Sequence, residues 1–205
     1  MLTIVLILPI IILGDVMKNI ITLTGDLASG KSTISKILAE KLGYEIYRNG
    51  TYFRELAKEH NMDVTEFNKY VEEHPEEKID EQIEFSAQKY AMEHDNLIID
   101  ARLGYFSVPE SFKLYLKVDI DEAAKRAFND LERKDSENHS SIEEQKQDMI
   151  KRRESEKERY LRTYNIDVTD LSNFDLVLDT TNMTIEEEVD IILREYNKWQ
   201  KENGN

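Results

Sequence analysis

Cysteine is absent from the chain. That excludes a disulfide scaffold and any thiolate metal site, and it suits the reducing cytoplasm, where the protein is expected. Histidine is scarce as well: His60, His74, His94 and His139 lie too far apart for ligand spacing and are expected at the surface rather than on a metal. Positive charge is in deficit, with 27 Lys and Arg against 42 Asp and Glu and a formal net charge of −15. Such a surface repels nucleic-acid phosphates and anionic membranes, so neither is expected as a partner, and any phosphate site must be a focused one. No apolar run is long enough to span a bilayer: Leu2 to Leu13 offers about 12 residues where a spanning helix takes roughly 20. No internal repeat is seen, and a monomer is expected.

What is present describes a globular protein of one domain, or of one domain with a small lid: 205 residues, 40% hydrophobic and 34% charged. Residues 1–16 stand apart. No Lys or Arg precedes Lys18, and Gly14-Asp15-Val16 fits a signal cleavage site poorly. The expectation is an extension outside the fold, with Leu13-Gly14-Asp15 a translated ribosome-binding sequence and the domain running 17–205 from a start at Met17. A membrane-anchoring N-terminus is the alternative.

The densest signal is Gly25-Asp26-Leu27-Ala28-Ser29-Gly30-Lys31-Ser32-Thr33, which fills the spacing G-x-x-x-x-G-K-[ST]. An apolar run, Asn19 to Thr24, leads into it as a buried strand, and a helix with apolar residues three or four apart leaves it from Thr33 to Leu42. An ordinary Gly/Ser turn would not need both flanks. The residue types suit a phosphate cradle, because glycines let the backbone turn tightly and point successive N–H groups inward at a helix N-terminus. Lys31 would reach the β- and γ-phosphates of ATP, and Ser32 would offer its hydroxyl to Mg²⁺.

Further strands are expected at Tyr44–Tyr47, Asn96–Arg102, Phe112–Val118 and Asp175–Asp179. Asp100 ends the third, where it either holds the Mg²⁺ shell through water or caps the following turn. Helices are expected from Thr51 to Lys58 after an Asn49-Gly50 turn, and from Met62 to Glu73, started by Asp63 or Thr65. Another runs from Glu76 to Glu93, opened by Pro75, with Ile79, Ile83, Ser86, Ala87, Tyr90 and Ala91 inward. Others cover Asp121 to Lys134, Ile142 to Tyr164 with Ser141 and Glu144 as a capping box, and Ile185 to Gln200. Strands alternating with helices predict a three-layer α/β fold around a five-stranded parallel sheet, with ligands at the strands' carboxyl ends. The polar stretch Asp135 to Ser140 breaks two helices and makes about 127–160 a helical lid. Arg152, Glu156 and Arg159 recur at i, i+4, i+7 on the second of these. Such a stripe is read either as a solvated, salt-bridged face or as lid arginines for a transferring phosphoryl group.

From about Asn19 to Trp199 the chain resembles the cytidylate kinases, most closely the short archaeal-type members. The resemblance rests on Asn49-Gly50-Thr51-Tyr52-Phe53-Arg54-Glu55-Leu56-Ala57-Lys58, on Ile98-Ile99-Asp100-Ala101-Arg102-Leu103, and on Arg152 to Tyr160. Tyr164 to Ser172, followed by Phe174 to Thr180, is its most distinctive part. It implies that Arg54 holds an acceptor monophosphate, that Arg102 helps bind the acceptor nucleotide, and that Arg152 and Glu156 face its ribose. It further implies that Arg159 is a transfer-site arginine, that Asn49 lies near the substrate, and that Arg126 serves the donor nucleotide. The chain departs from the family at Lys31, where threonine is common, at Ala101, where glycine is usual, and at Asp130, where a second arginine tends to follow Arg126. The expected activity is ATP- and Mg²⁺-dependent phosphorylation of a nucleoside monophosphate, with CMP or dCMP as the best match. A kinase for another nucleotide or small phosphorylated metabolite is the alternative within the class. A non-catalytic nucleotide-binding regulatory protein is the alternative outside it, and would not need the lid arginines.

Overall fold

The computed structural model describes residues 19–130 and 139–203. The extension over 1–16, the start at Met17 and the part of the lid over 131–138 lie outside the described residues. Five strands form one parallel sheet in the order β2-β3-β1-β4-β5, in agreement with the expected three-layer α/β class. β1 (Ile20–Gly25) is central and buried at every position, as a continuous apolar run covered on both faces must be. It sets Leu23 opposite Asp100 of β3 (Leu97–Asp100) and Gly25 opposite Leu116 of β4 (Phe112–Lys117). β2 (Glu45–Arg48) and β5 (Leu176–Asp179) are the edges. The connections diverge at β1, so the crevice beyond its carboxyl end is where a ligand fits.

Alternate side chains of β1 serve opposite faces. Ile21 and Leu23 meet Ile34 and Leu38 of α1 (Lys31–Leu42) and Val189, Ile192 and Tyr196 of α8 (Ile185–Asn203). Ile20 meets Ala87 and Ala91 of α4 (Ile79–Glu93) on the other face. Burying each larger side chain of this kind contributes roughly 1.5–3 kcal/mol. A satellite core of Ala57, Phe67, Val71, Ile79 and Ile83 joins α2 (Asn49–Glu59), α3 (Val64–Glu73) and α4. A further cluster, with Ala123, Ala127 and Met149, joins α6 (Ile120–Asn129) to α7 (Ile142–Tyr164), and Leu27 and Ala28 of the phosphate loop pack against it. The long charged helix is thereby mounted on the loop itself.

Several local expectations are corrected. Pro75 opens only a 3₁₀ turn, Pro75–Glu77. Lys78 then takes a left-handed conformation (φ 54°) that breaks the ladder before α4 begins at Ile79, and the Gln82 amide satisfies the freed Glu77 carbonyl at 2.9 Å. On α4 the inward face takes in Glu84 and Gln88, while Ser86 and Tyr90 are only half-buried. α6 ends at Asn129 with Asp130 as its C-cap, and the rest of the stretch expected to reach Lys134 lies outside the described residues. The four-residue helix α5 (Gly104–Ser107) had no forecast. At the start of α7, Ser141 does accept from the Glu144 N–H, but the Glu144 carboxylate accepts from Ser140 N and Oγ, one residue beyond the Ser141 N–H that a closed capping box uses.

Candidate active site

The loop's shape follows from its two glycines. A Cβ on Gly25 would sit 2.4 Å from the Leu116 carbonyl oxygen, so only glycine lets β1 turn this close to β4. Gly30 holds φ at 90° and caps α1, whose first N–H groups have no acceptor within the helix. Lys31 Nζ donates to Gly25 O and Asp26 O, each at 2.8 Å. Burial, and then the Arg102 guanidinium, push this ammonium down to about 7. Ser32 and Thr33 are exposed on the first turn of α1. Together with Ala28 to Lys31, Arg126 and Asp130 they line a cavity of about 250 Å³.

Arg126 faces that cavity with its guanidinium already engaged. Nη2 donates to Thr180 O at 2.8 Å and Thr181 O at 3.2 Å, and Nε to Glu122 at 3.1 Å, tying α6 to the link after β5. Asp100, at the end of β3, lies 4.0 Å from Arg48 Nε. Burial pushes its carboxyl up, against the pull of Lys31, Arg48 and Arg102. Arg102 donates from Nη1 to Gly25 O, and its Nε lies 3.3 Å from Glu156 Oε2 on α7. Arg102, Glu156, Asp26 and Leu27 line a second cavity beside the loop. Lys31, Asp100, Arg102 and Glu156 thus converge where the strand connections diverge.

Other expected residues are placed elsewhere. Arg54 is exposed on α2, with Nη2 donating to Thr51 Oγ1 at 3.2 Å. Asn49 is buried and gives its Nδ2 to Glu84 at 3.0 Å, leaving Oδ1 without a partner. Arg152 is half-buried on α7. Arg159 lies 3.4 Å from Asp80 Oδ2 on α4, without hydrogen-bond alignment at Nε, and lines a separate cavity with Arg162 and Thr163. Glu156 and Arg159 therefore take different partners and do not pair along the helix.

Three features escaped the reading of the sequence. The Asp26 carboxylate turns away from the cradle, accepting from Tyr115 Oη at 2.7 Å and Val118 N at 3.0 Å and meeting Arg153 at 3.1 Å. Arg153 therefore reaches the loop. Glu84 is a buried carboxylate bridging Asn49 and Ser107; its spacing from Ala87 and Ala91 on the inward stripe was the available signal. Among the described residues no three or more of His, Cys, Asp and Glu gather as metal ligands, and no helix is long and apolar enough to cross a membrane.

The model of the cytidylate kinase-like family matches residues 20–182. The chain is 38% identical over 175 residues to the cytidylate kinase of Sulfolobus acidocaldarius, covering 84% of this chain and 91% of that protein. To the cytidylate kinase of Thermoplasma acidophilum it is 36% identical over 167 residues, covering 80% and 84%. Among solved structures, a shikimate kinase from Bacteroides thetaiotaomicron is similar with a TM-score of 0.60, covering 86% of this chain and 97% of that one; at 17% identity the likeness speaks for the fold alone.

Proposed function

The chain belongs to the cytidylate kinase-like family, and from that premise we propose that it phosphorylates CMP or dCMP with ATP. A monophosphate oxygen attacks the γ-phosphorus, the bond from that phosphorus to the β–γ bridging oxygen breaks, and CDP or dCDP leaves with ADP. The observation that carries this reading is Arg102, which touches Gly25 of the phosphate loop while holding Glu156. Donor-phosphate and acceptor-side groups are thereby within one guanidinium's reach.

An acceptor monophosphate is already anionic, so the reaction needs no obligatory base; positioning and electrostatic stabilisation carry it. Lys31 and the loop amides hold the donor phosphates, with Arg126 beside them. Arg54 and Arg102 hold the acceptor, Arg152, Glu156 and Asn49 face its nucleoside, and Arg159 serves the transferring group. The glycine-only approach at Gly25 and the Lys31 amine held over the loop carbonyls suit a triphosphate. The exposed Ser32 hydroxyl and, through water, Asp100 would hold Mg²⁺. When bound, that ion neutralises charge across the donor phosphates. The enzyme works as a cytoplasmic monomer.

ADP release measured across the common nucleoside monophosphates tests the reading. CMP and dCMP should give the highest kcat/KM. Preference for another acceptor would overturn the base assignment, and absence of ADP release with every acceptor would favour a regulatory nucleotide binder.

A further inference from the structure

Two polar links run from α7 to the first turn of the phosphate loop, one ending on Gly25 and the other on Asp26. Glu156 holds Arg102, which donates to Gly25 O. Arg153, three positions earlier on the helix, sets Nη1 3.1 Å from Asp26 Oδ1. Gly25 O and Asp26 O are also the two acceptors of the Lys31 ammonium. The Asp26 carboxylate is 8% exposed, whereas the Arg153 side chain is 52% exposed. Its remaining donors, the Tyr115 hydroxyl and the Val118 N–H, are neutral, which leaves Arg153 as its cationic contact.

We propose that Arg153 is a positioning residue for the donor-phosphate seat, acting through Asp26: it neutralises that carboxylate and pins the first turn of the loop to α7. The inference rests on the reading of the loop as the ATP site. Removing one partner of a buried ion pair leaves the other charge uncompensated. The nearby cation is Lys31, whose ammonium already feels Asp26. Without Arg153, Asp26 would compete with the triphosphate for Lys31 and add negative charge beside it.

The test is calorimetric titration of the full chain with the Mg²⁺ complex of the non-hydrolysable imido analogue of ATP. Arg153→Gln should weaken binding about tenfold, equivalent to ~1.4 kcal/mol, with some fall in melting temperature, because the largely buried Asp26 carboxylate loses a cation. Arg153→Lys keeps the charge and should recover most of the affinity. In an Asp26→Asn background, Arg153→Gln should add nothing, since the charge it neutralises is gone. Wild-type affinity in Arg153→Gln, a lysine variant as weak as the glutamine one, or multiplicative losses in the double variant would each overturn the proposal. Should Asp26→Asn fail to fold, the glutamine and lysine variants decide alone. Wild-type protein that does not bind the analogue would refute the loop assignment and this inference with it, whereas tight wild-type binding untouched by Arg153→Gln refutes this inference only.

Discussion

Replacing Glu84 with glutamine should make the protein more stable at neutral and alkaline pH. Glu84 is 5% exposed and accepts from Asn49 Nδ2 and Ser107 Oγ, both at 3.0 Å. Burial is the main cause that pushes its carboxyl from 4.5 up to about 7, and Asp80, one helical turn away, adds repulsion against the two hydrogen bonds. The folded state therefore holds the proton more tightly than the unfolded one. Stability is fully present below 4.5 and falls as pH rises toward 7. Above that the ionised carboxylate costs the whole difference, about 3 kcal/mol at about 1.4 kcal/mol per unit. Glutamine removes the charge and keeps the bonds: its carbonyl accepts from Asn49, and its amide donates to Ser107, whose hydroxyl can accept. At roughly 2–4 °C per kcal/mol for a chain of this size, Glu84→Gln should melt up to about 10 °C higher at pH 8 and close to wild type at pH 4.5. Lys31, pushed from 10.5 down to about 7, contributes the opposite slope at higher pH in both proteins, so the difference between the two melting curves is what matters. Parallel curves across this range, or a variant less stable at pH 8, would refute the reasoning.

Lys31→Ala should abolish measurable phosphoryl transfer with the fold intact by circular dichroism, because the lysine is a charge on the phosphates and not a core side chain. Arg54→Ala should raise the KM for CMP far more than that for ATP in steady-state assays; equal effects would make Arg54 structural. Arg159→Lys should lower kcat by roughly 10² if the guanidinium acts on developing charge, whereas full activity would leave Arg159 as a partner of Asp80 alone.

How legible a feature was in the sequence depended on whether its cause was local. The apolar runs of β1, β3 and β4 and the spacing of the loop carry their own explanation, and both loop glycines sit where the motif puts them. Asp63 at the start of α3 forms a full capping box with Glu66, again from neighbours in sequence. For Glu84 the helical spacing gave only the face, and its partners Asn49 and Ser107 arrive from α2 and α5. The second residue of the loop was read for its backbone, and nothing local announced that its carboxylate serves Tyr115, Val118 and Arg153. α5 is too short for any periodicity to register, and the break at Lys78 is a backbone conformation that lysine rarely takes.

The charged run of α7 shows why the two readings of it were hard to separate by spacing. An i, i+4 stripe looks the same whether the charges pair along the helix or leave it. Here Lys146 reaches Asp121, Arg153 reaches Asp26, Glu156 reaches Arg102, Lys157 reaches Asp167 and Arg159 reaches Asp80. A helix whose charges paired internally could move off the sheet at little electrostatic cost, because exposed pairs of that kind are worth only about 0.3–0.5 kcal/mol each. α7 cannot. Asp26 and Asp80 are largely buried, at 8% and 16% exposure, so lifting the helix would strand two carboxylates away from their cations. Asp26 lies in the phosphate loop and Asp80 on the helix that carries Glu84. The position of α7 is consequently tied to both sides of the cleft at once, and a movement that lifts α7 has to exchange those partners.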